Sequence, residues 1–187
     1  MVHALTALLL LVPVFFAAPA SAAGAPPTVG AMENFEPADP PTPTPQVRFT
    51  GRDGETDLSA FRGQLVLLNF WATWCAPCVR EMKDLDELQA RFADRKSPVP
   101  FTVLALSGDR GGLKVVDRFY RKQGLMHLGQ YNDPKMTSHR AFRALGLPTT
   151  VLIDPEGREL GRLVGPAEWS GADAVRLVEH YLSSLKP

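Results

Sequence analysis

Charge is missing from the beginning of this chain, where the first charged side chain is Glu33. An apolar stretch over residues 4–18 leads into small residues that offer an Ala-x-Ala cleavage site ending at Ala22. This pattern predicts a secretory signal peptide over residues 1–22. If it is retained, the same segment is long enough for a membrane anchor. A buried core helix is the third interpretation, but no amphipathic or capped flanks support it. We therefore expect export to the periplasm or to the extracytoplasmic face of a bacterial membrane.

An excess of either charge is also lacking, because 20 Lys and Arg residues balance 20 Asp and Glu residues. No basic run interleaved with aromatic residues occurs, so the electrostatic footprint of a nucleic-acid-binding protein is missing. A length of 187 residues with 45% hydrophobic content suits one ordinary globular domain.

Cysteine is scarce, since Cys75 and Cys78 are the only two. No cysteine follows the apolar leader, which excludes a bacterial lipoprotein anchor. The four histidines have no ligand spacing to one another, whereas a structural zinc site generally needs four ligands. We therefore predict no metal site and interpret the cysteines as a redox pair.

Proline, in contrast, is concentrated before the expected domain. Seven prolines fall within residues 24–45, a stretch with little that would build a core. Residues 23–45 are therefore predicted to be an extended linker. A disordered tail is the alternative, and residues 46–187 are assigned to one domain.

Hydrophobic patterning indicates an α/β fold. Continuous apolar strands over residues 65–70 and 101–106 are separated by a periodic helix, which is typical of a parallel pair covered on both faces. Strands over 149–153 and 159–164 form a predicted antiparallel hairpin before a last helix. The order is β-α-β followed by β-β-α, with insertions, around a central mixed sheet.

The segment after residue 132 is predicted to add a further helix. Asp133-Pro134 is a favourable helix start. We expect this helix to turn Ala141, Phe142 and Leu145 inward, to stop at Gly146, and to leave His139 in solvent.

Trp74-Cys75-Ala76-Pro77-Cys78 lies where the first apolar strand meets the helix. A disulfide closing so small a loop stabilises a fold by only roughly 2 kcal/mol in the chain-entropy model. Such a bond is better suited to opening and closing than to holding a fold together. A cysteine at a helix N-terminus is favoured as the thiolate, so Cys75 is the expected attacking sulfur and Cys78 the resolving one.

The run Asn69 to Cys78, paired with Gly146-Leu147-Pro148-Thr149-Thr150, resembles the TlpA/ResA group of thioredoxin-fold proteins. The resemblance implies an exported thiol-disulfide oxidoreductase of the cytochrome c maturation or oxidase copper-site assembly type. It implies oxidised protein substrates, recharging by a membrane electron donor, and no bound cofactor.

The resemblance also assigns residues. Pro148 is similar to the cis-proline that faces the disulfide in this fold, while a trans proline beginning a strand is the alternative. Leu147 would lend its backbone to a substrate strand. Trp74 would lie on the rim. The expected substrate contacts are therefore Trp74, Ala76, Pro77 and Leu147.

Glu81 follows the second cysteine by three residues and matches a glutamate near the site in ResA-like proteins. Asn69 stands where thioredoxins often hold a buried Asp, and an amide cannot take a proton from the inner cysteine. A partly buried Glu81 would serve as the base instead. Alternatively, Glu81 lies on a solvated face beside Arg80 and Lys83.

Two rival functions stay open. Ala76 and Pro77 offer nothing that stabilises a thiolate, which favours a reductase over an oxidase working in the opposite direction. A copper-binding assembly factor would use Cys75 and Cys78 together with His127 or Met126.

Overall fold

The computed structural model describes residues 24–185. The predicted signal peptide or anchor over 1–22 lies outside these residues. Among the described helices, none combines the length and the apolar character that a membrane crossing requires.

One mixed sheet of eight strands forms the centre of the domain, in the order β1-β8-β7-β4-β5-β6-β2-β3. The strands are β1 (Phe35–Pro43), β2 (Arg48–Gly51), β3 (Gly54–Asp57), β4 (Leu65–Trp71), β5 (Phe101–Ser107), β6 (Tyr131–Asn132), β7 (Thr149–Ile153) and β8 (Arg158–Val164).

Four α-helices and two short 3₁₀-helices complete the described structure. The α-helices are α1 (Ala76–Ala93), α2 (Leu113–Gln123), α3 (Thr137–Ala141) and α4 (Ala172–Ser184), and the 3₁₀-helices cover Gly30–Met32 and Leu58–Phe61.

The predicted fold class is confirmed by the strand pairing around β4. This strand is parallel to β5 and antiparallel to β7, so β4-α1-β5 and β7-β8-α4 are the two expected units. Every residue of β4 is buried, because helices cover both faces of the sheet. The cysteine-bearing helix α1 thus starts at the end of the most protected strand.

Two apolar clusters lie on opposite faces of the sheet. The larger one joins α1, α2 and α4 to alternate residues of the central strands, including Leu67 and Trp71. The smaller one joins Phe70 and its neighbours to Phe142, just after α3. Trp71 packs in the core, with Phe119 at 5.0 Å between ring centroids.

The structure differs from the expected linker over residues 30–43. Met32 is fully buried and Phe35 is 4% exposed, with its ring 6.2 Å from that of Tyr181. β1 pairs antiparallel with β8 as an edge strand. Prolines are tolerated there because an edge strand need not donate every backbone N–H. The folded domain therefore begins before residue 46.

The segment after β6 also differs from prediction. α3 begins at Thr137, because the Asp133 carboxylate accepts a hydrogen bond from the Ser138 backbone N–H at 2.6 Å and holds a turn before the helix. Only Phe142 of the predicted inward residues is buried, whereas Leu145 is 98% exposed.

His139 is buried rather than solvated. Its ring lies 4.6 Å from that of Phe70, because α3 packs this side chain onto the sheet.

Candidate active site

The two cysteines form a disulfide at the first turn of α1. Cys75 is the N-cap residue, and its sulfur accepts a hydrogen bond from the Cys78 backbone N–H at 3.3 Å. Cys75 retains 6% exposure whereas Cys78 has none. An incoming disulfide therefore has access to Cys75 first.

A surface groove of about 480 Å³ opens at the disulfide, and we call it the active-site groove. It contains no charged lining residue. The lining residues are Trp74, Cys75, Ala76, Pro77, Met136, Ala144, Leu145, Gly146 and Leu147. The predicted substrate contacts from the two distant segments thus meet on one surface.

The Leu147–Pro148 peptide bond is cis, as the resemblance implies. Pro148 is buried, and its carbonyl oxygen accepts a hydrogen bond from the Gly165 backbone N–H at 2.9 Å. Leu147 lies one residue earlier and lines the active-site groove together with Trp74 and Cys75. Trp74 is 65% exposed, which agrees with its expected place on the rim.

Glu81 lies three residues after Cys78 on α1 and is buried, with only 3% exposure, while Arg80 and Lys83 are exposed. The solvated-face alternative is therefore wrong. Oε1 of Glu81 accepts a hydrogen bond from Asn69 Nδ2 at 2.8 Å. Oε2 accepts from the backbone N–H of Ala167 at 3.1 Å and from the indole Nε1–H of Trp169 at 3.2 Å.

Burial raises the pKa of Glu81 from an ordinary 4.5 to about 7, although the hydrogen bonds from Asn69, Ala167 and Trp169 act to lower it. A carboxyl group with such a pKa exists in both charge states near neutral pH. It is therefore suited to accepting and returning a proton.

A buried carboxylate holds the segment that leads to Cys75. Asp109 accepts hydrogen bonds from the Thr73 backbone N–H at 2.9 Å and from the Thr73 hydroxyl at 2.6 Å. It also accepts one from the Ser107 hydroxyl at 2.8 Å. The end of β5 thereby fixes the approach to the disulfide.

The proposed copper ligand set is not assembled. Backbone N–H groups of Met126 and His127 donate to the Asp86 carboxylate. Asp86 lies on α1, roughly 16 Å along the axis from Cys75 at about 1.5 Å per residue. Over residues 24–185, no three His, Cys, Asp or Glu side chains gather into a group able to hold a metal ion.

Sequence reasoning missed Trp169, Asp109 and the groove residues Met136, Ala144 and Leu145. Trp169 lies 88 positions from Glu81, and no spacing along the chain connects them. Asp109 follows the end of the predicted strand over residues 101–106 by three residues, and that position was the only available signal.

The AhpC/TSA family profile matches residues 41–158, which is more than half of the 187 residues. The chain belongs to the AhpC/TSA family. Within it, a thiol-disulfide oxidoreductase ResA from Geobacillus kaustophilus is 35% identical over 133 residues, covering 71% of this chain and 70% of the relative. ResA from Bacillus thuringiensis is 28% identical over 131 residues, covering 70% and 69%.

Solved structures of thiol-disulfide oxidoreductases agree with the fold. A thiol:disulfide interchange protein of the thioredoxin family from Chlorobium tepidum matches with a TM-score of 0.59 at 30% identity, covering 76% of this chain and 97% of that one. A thiol-disulfide oxidoreductase from Bacteroides fragilis matches with a TM-score of 0.62 at 25% identity, covering 75% and 99%. The chain is a ResA-like thiol-disulfide oxidoreductase of the thioredoxin superfamily.

Proposed function

We propose that this protein is an exported disulfide reductase that uses the Cys75/Cys78 dithiol. The observation that carries the proposal is the unequal exposure of the two sulfurs at the active-site groove. The apolar leader supports placement in the periplasm or on the extracytoplasmic face of a bacterial membrane.

In the proposed reaction the Cys75 thiolate attacks one sulfur of a target disulfide. A bond forms between Cys75 and the target, and the other target sulfur leaves as a thiolate that takes a proton from solvent. Cys78 then gives its proton to Glu81 and attacks the Cys75 sulfur. The target sulfur that was bonded to Cys75 is released as a thiolate, and a Cys75–Cys78 disulfide remains. Two electrons have then passed from the dithiol to the target.

The groove supports an extended protein substrate. Leu147, which precedes Pro148, offers backbone groups beside the disulfide, and Trp74, Ala76 and Pro77 supply uncharged contacts. We propose oxidised proteins of cytochrome c maturation or oxidase copper-site assembly as targets, with a membrane electron donor restoring the dithiol.

A trapping experiment tests the mechanism. Cys78→Ser keeps the attacking sulfur but removes the resolving one, so mixed disulfides with targets should accumulate on Cys75. Cys75→Ser is the matched control and should accumulate few. Mass spectrometry identifies the trapped protein, and accumulation on the control variant instead would reverse the two assignments.

The reduction potential tests the direction. A value near −200 mV or lower supports a reductase, whereas a value near −120 mV is typical of a strong oxidant and would support the oxidase alternative.

A further inference from the structure

Asn69 has an unexplained buried oxygen at the centre of the site. The residue lies on β4 with no exposure, and its Nδ2 donates to Glu81 Oε1 at 2.8 Å and to Thr150 Oγ1 at 3.0 Å. Its Oδ1 is buried and has no hydrogen-bond partner among the described residues. Buried polar atoms are nearly always paired, so an acceptor without a donor requires an explanation.

The two oxygens of Glu81 face different chemistry. Oε2 faces the Ala167 backbone N–H and the Trp169 indole N–H, and both of these groups donate only. A proton on Oε2 would point toward the hydrogen atoms of these two N–H groups, which would repel it. Oε1 faces the amide of Asn69, which carries a donor and an acceptor on one rotatable group. A proton bound by Glu81 therefore belongs on Oε1.

We propose that Asn69 is a positioning residue that follows the proton of Glu81 by rotating its amide. When Glu81 is ionised, Asn69 Nδ2 donates to Oε1. When Glu81 carries the proton on Oε1, the amide turns and the otherwise unpaired Oδ1 accepts it. The inference rests on the proposed role of Glu81 as the proton acceptor of Cys78.

Thr150 can serve both orientations. Its hydroxyl accepts from Asn69 Nδ2 in the ionised state and donates to Oδ1 after the rotation, since a hydroxyl is both donor and acceptor. Thr150 is two residues beyond Pro148 in β7. The rotation thus changes hydrogen bonds both to Glu81 on α1 and to Thr150 on β7, the strand that follows the cis peptide.

Few charged groups surround this pair. Arg80, Asp84 and Glu168 line a cavity of about 280 Å³ together with Glu81. Of these, Asp84 acts on the carboxyl group by repulsion. The neighbours on β4 and β7 are Asn69 and Thr150, which carry no charge. The amide is consequently the one adjustable partner at Oε1.

Nuclear magnetic resonance on the oxidised wild-type protein tests whether the Asn69 amide responds to the charge of Glu81. The Glu81 side-chain carboxyl carbon and the Asn69 side-chain amide should titrate with one common midpoint near pH 7. In Glu81→Gln, the amide resonances of Asn69 should lose this pH dependence. An Asn69 amide that stays constant while the Glu81 carboxyl titrates would overturn the proposal.

Asn69→Leu gives a second test. The variant keeps the approximate volume but removes a hydrogen bond from both charge states of Glu81. The bond to the ionised carboxylate is the stronger of the two, so the Glu81 midpoint should move up by less than about one pH unit, whereas an amide fixed as a donor predicts a rise of roughly two units. The pH profile of disulfide exchange should move in parallel. Thr150→Val is the matched control, and its shift should be less than half as large because the hydroxyl serves both orientations.

The outcomes separate this proposal from the proposed function. If the Asn69→Leu midpoint rises by roughly two pH units while exchange still requires Cys75 and Glu81, the amide is a fixed donor, the rotation is refuted and the reductase mechanism stands. If Glu81→Gln keeps the wild-type pH profile, the role of Glu81 itself fails. Should Asn69→Leu not fold, the wild-type resonances decide the question without it.

Discussion

The indole Nε1–H of Trp169 donates a hydrogen bond to Oε2 of Glu81 at 3.2 Å, from 88 positions further along the chain. Trp169 is fully buried, so this donor is shielded from bulk solvent. Together with the Ala167 backbone N–H, it stabilises the ionised carboxylate that burial disfavours. Burial raises the pKa of Glu81, whereas these hydrogen bonds lower it. A change in either burial or hydrogen bonding should therefore shift this pKa.

Removal of the indole donor should raise the pKa of Glu81 further. Trp169→Phe keeps an aromatic ring but loses one charge-assisted hydrogen bond, which corresponds to roughly one pH unit. A carbon-13 titration of the Glu81 carboxyl measures the change. Trp71→Phe is the control, because Trp71 is equally buried and its Nε1 has no described acceptor. An equal shift in both variants would contradict the assignment.

Glu81 should make stability fall as pH rises. Its pKa is about 7 in the folded protein against 4.5 ordinarily, so the folded state binds more protons between these values. The contribution of Glu81 to the unfolding free energy should drop by on the order of 3 kcal/mol from pH 4.5 to above pH 7. Urea unfolding of the oxidised wild-type protein and of Glu81→Gln at pH 5 and pH 8.5 measures this contribution as the difference between the two proteins, because His139 acts in the opposite direction over part of this range. An equal pH dependence in the two proteins would rule out Glu81 as its source.

His139 should have the opposite dependence. Burial lowers its pKa from 6.5 to about 4, so protonation favours the unfolded chain as pH falls between these values. The expected loss of unfolding free energy is on the order of 3 kcal/mol. The difference in unfolding free energy between the wild type and His139→Phe should change by this amount between pH 6.5 and pH 4, because Glu81 affects both proteins alike. The exposed His127, changed to Gln, should show no such change relative to the wild type; if it shows the same change, His139 is not the cause.

Leu145 should affect protein substrates without affecting stability. Its side chain is 98% exposed on the wall of the active-site groove. Leu145→Ser should slow disulfide exchange with a protein substrate about tenfold, if the substrate buries this side chain. The rate with a small aromatic disulfide should not change. Met126→Ser is the control, since Met126 is 81% exposed but lies away from the groove. Equal slowing by both variants would argue against a specific contact.

The pattern of apolar residues along the chain was sufficient to predict β4 and α1, the strand and helix that flank the cysteines. β4 is a continuous apolar run and α1 follows helical spacing, so local propensity and burial agree there. The same reasoning failed for α3, where the Asp133 carboxylate binds the Ser138 backbone N–H and delays the helix. It also failed for β1, because the burial of Met32 and Phe35 depends on the opposite end of the chain.

The local pattern of the sequence alone determined that two cysteines stand at a strand-to-helix junction, and the family resemblance implied that a Leu-Pro-Thr segment belongs to the same fold. The spacing of residues and the periodicity of apolar side chains are local properties, so they can be observed directly in the sequence. Only the tertiary structure decided that Glu81 is buried and that Asn69, Ala167 and Trp169 are its partners. A pKa depends on desolvation and on neighbouring donors, and folding brings these donors from positions 12, 86 and 88 residues away.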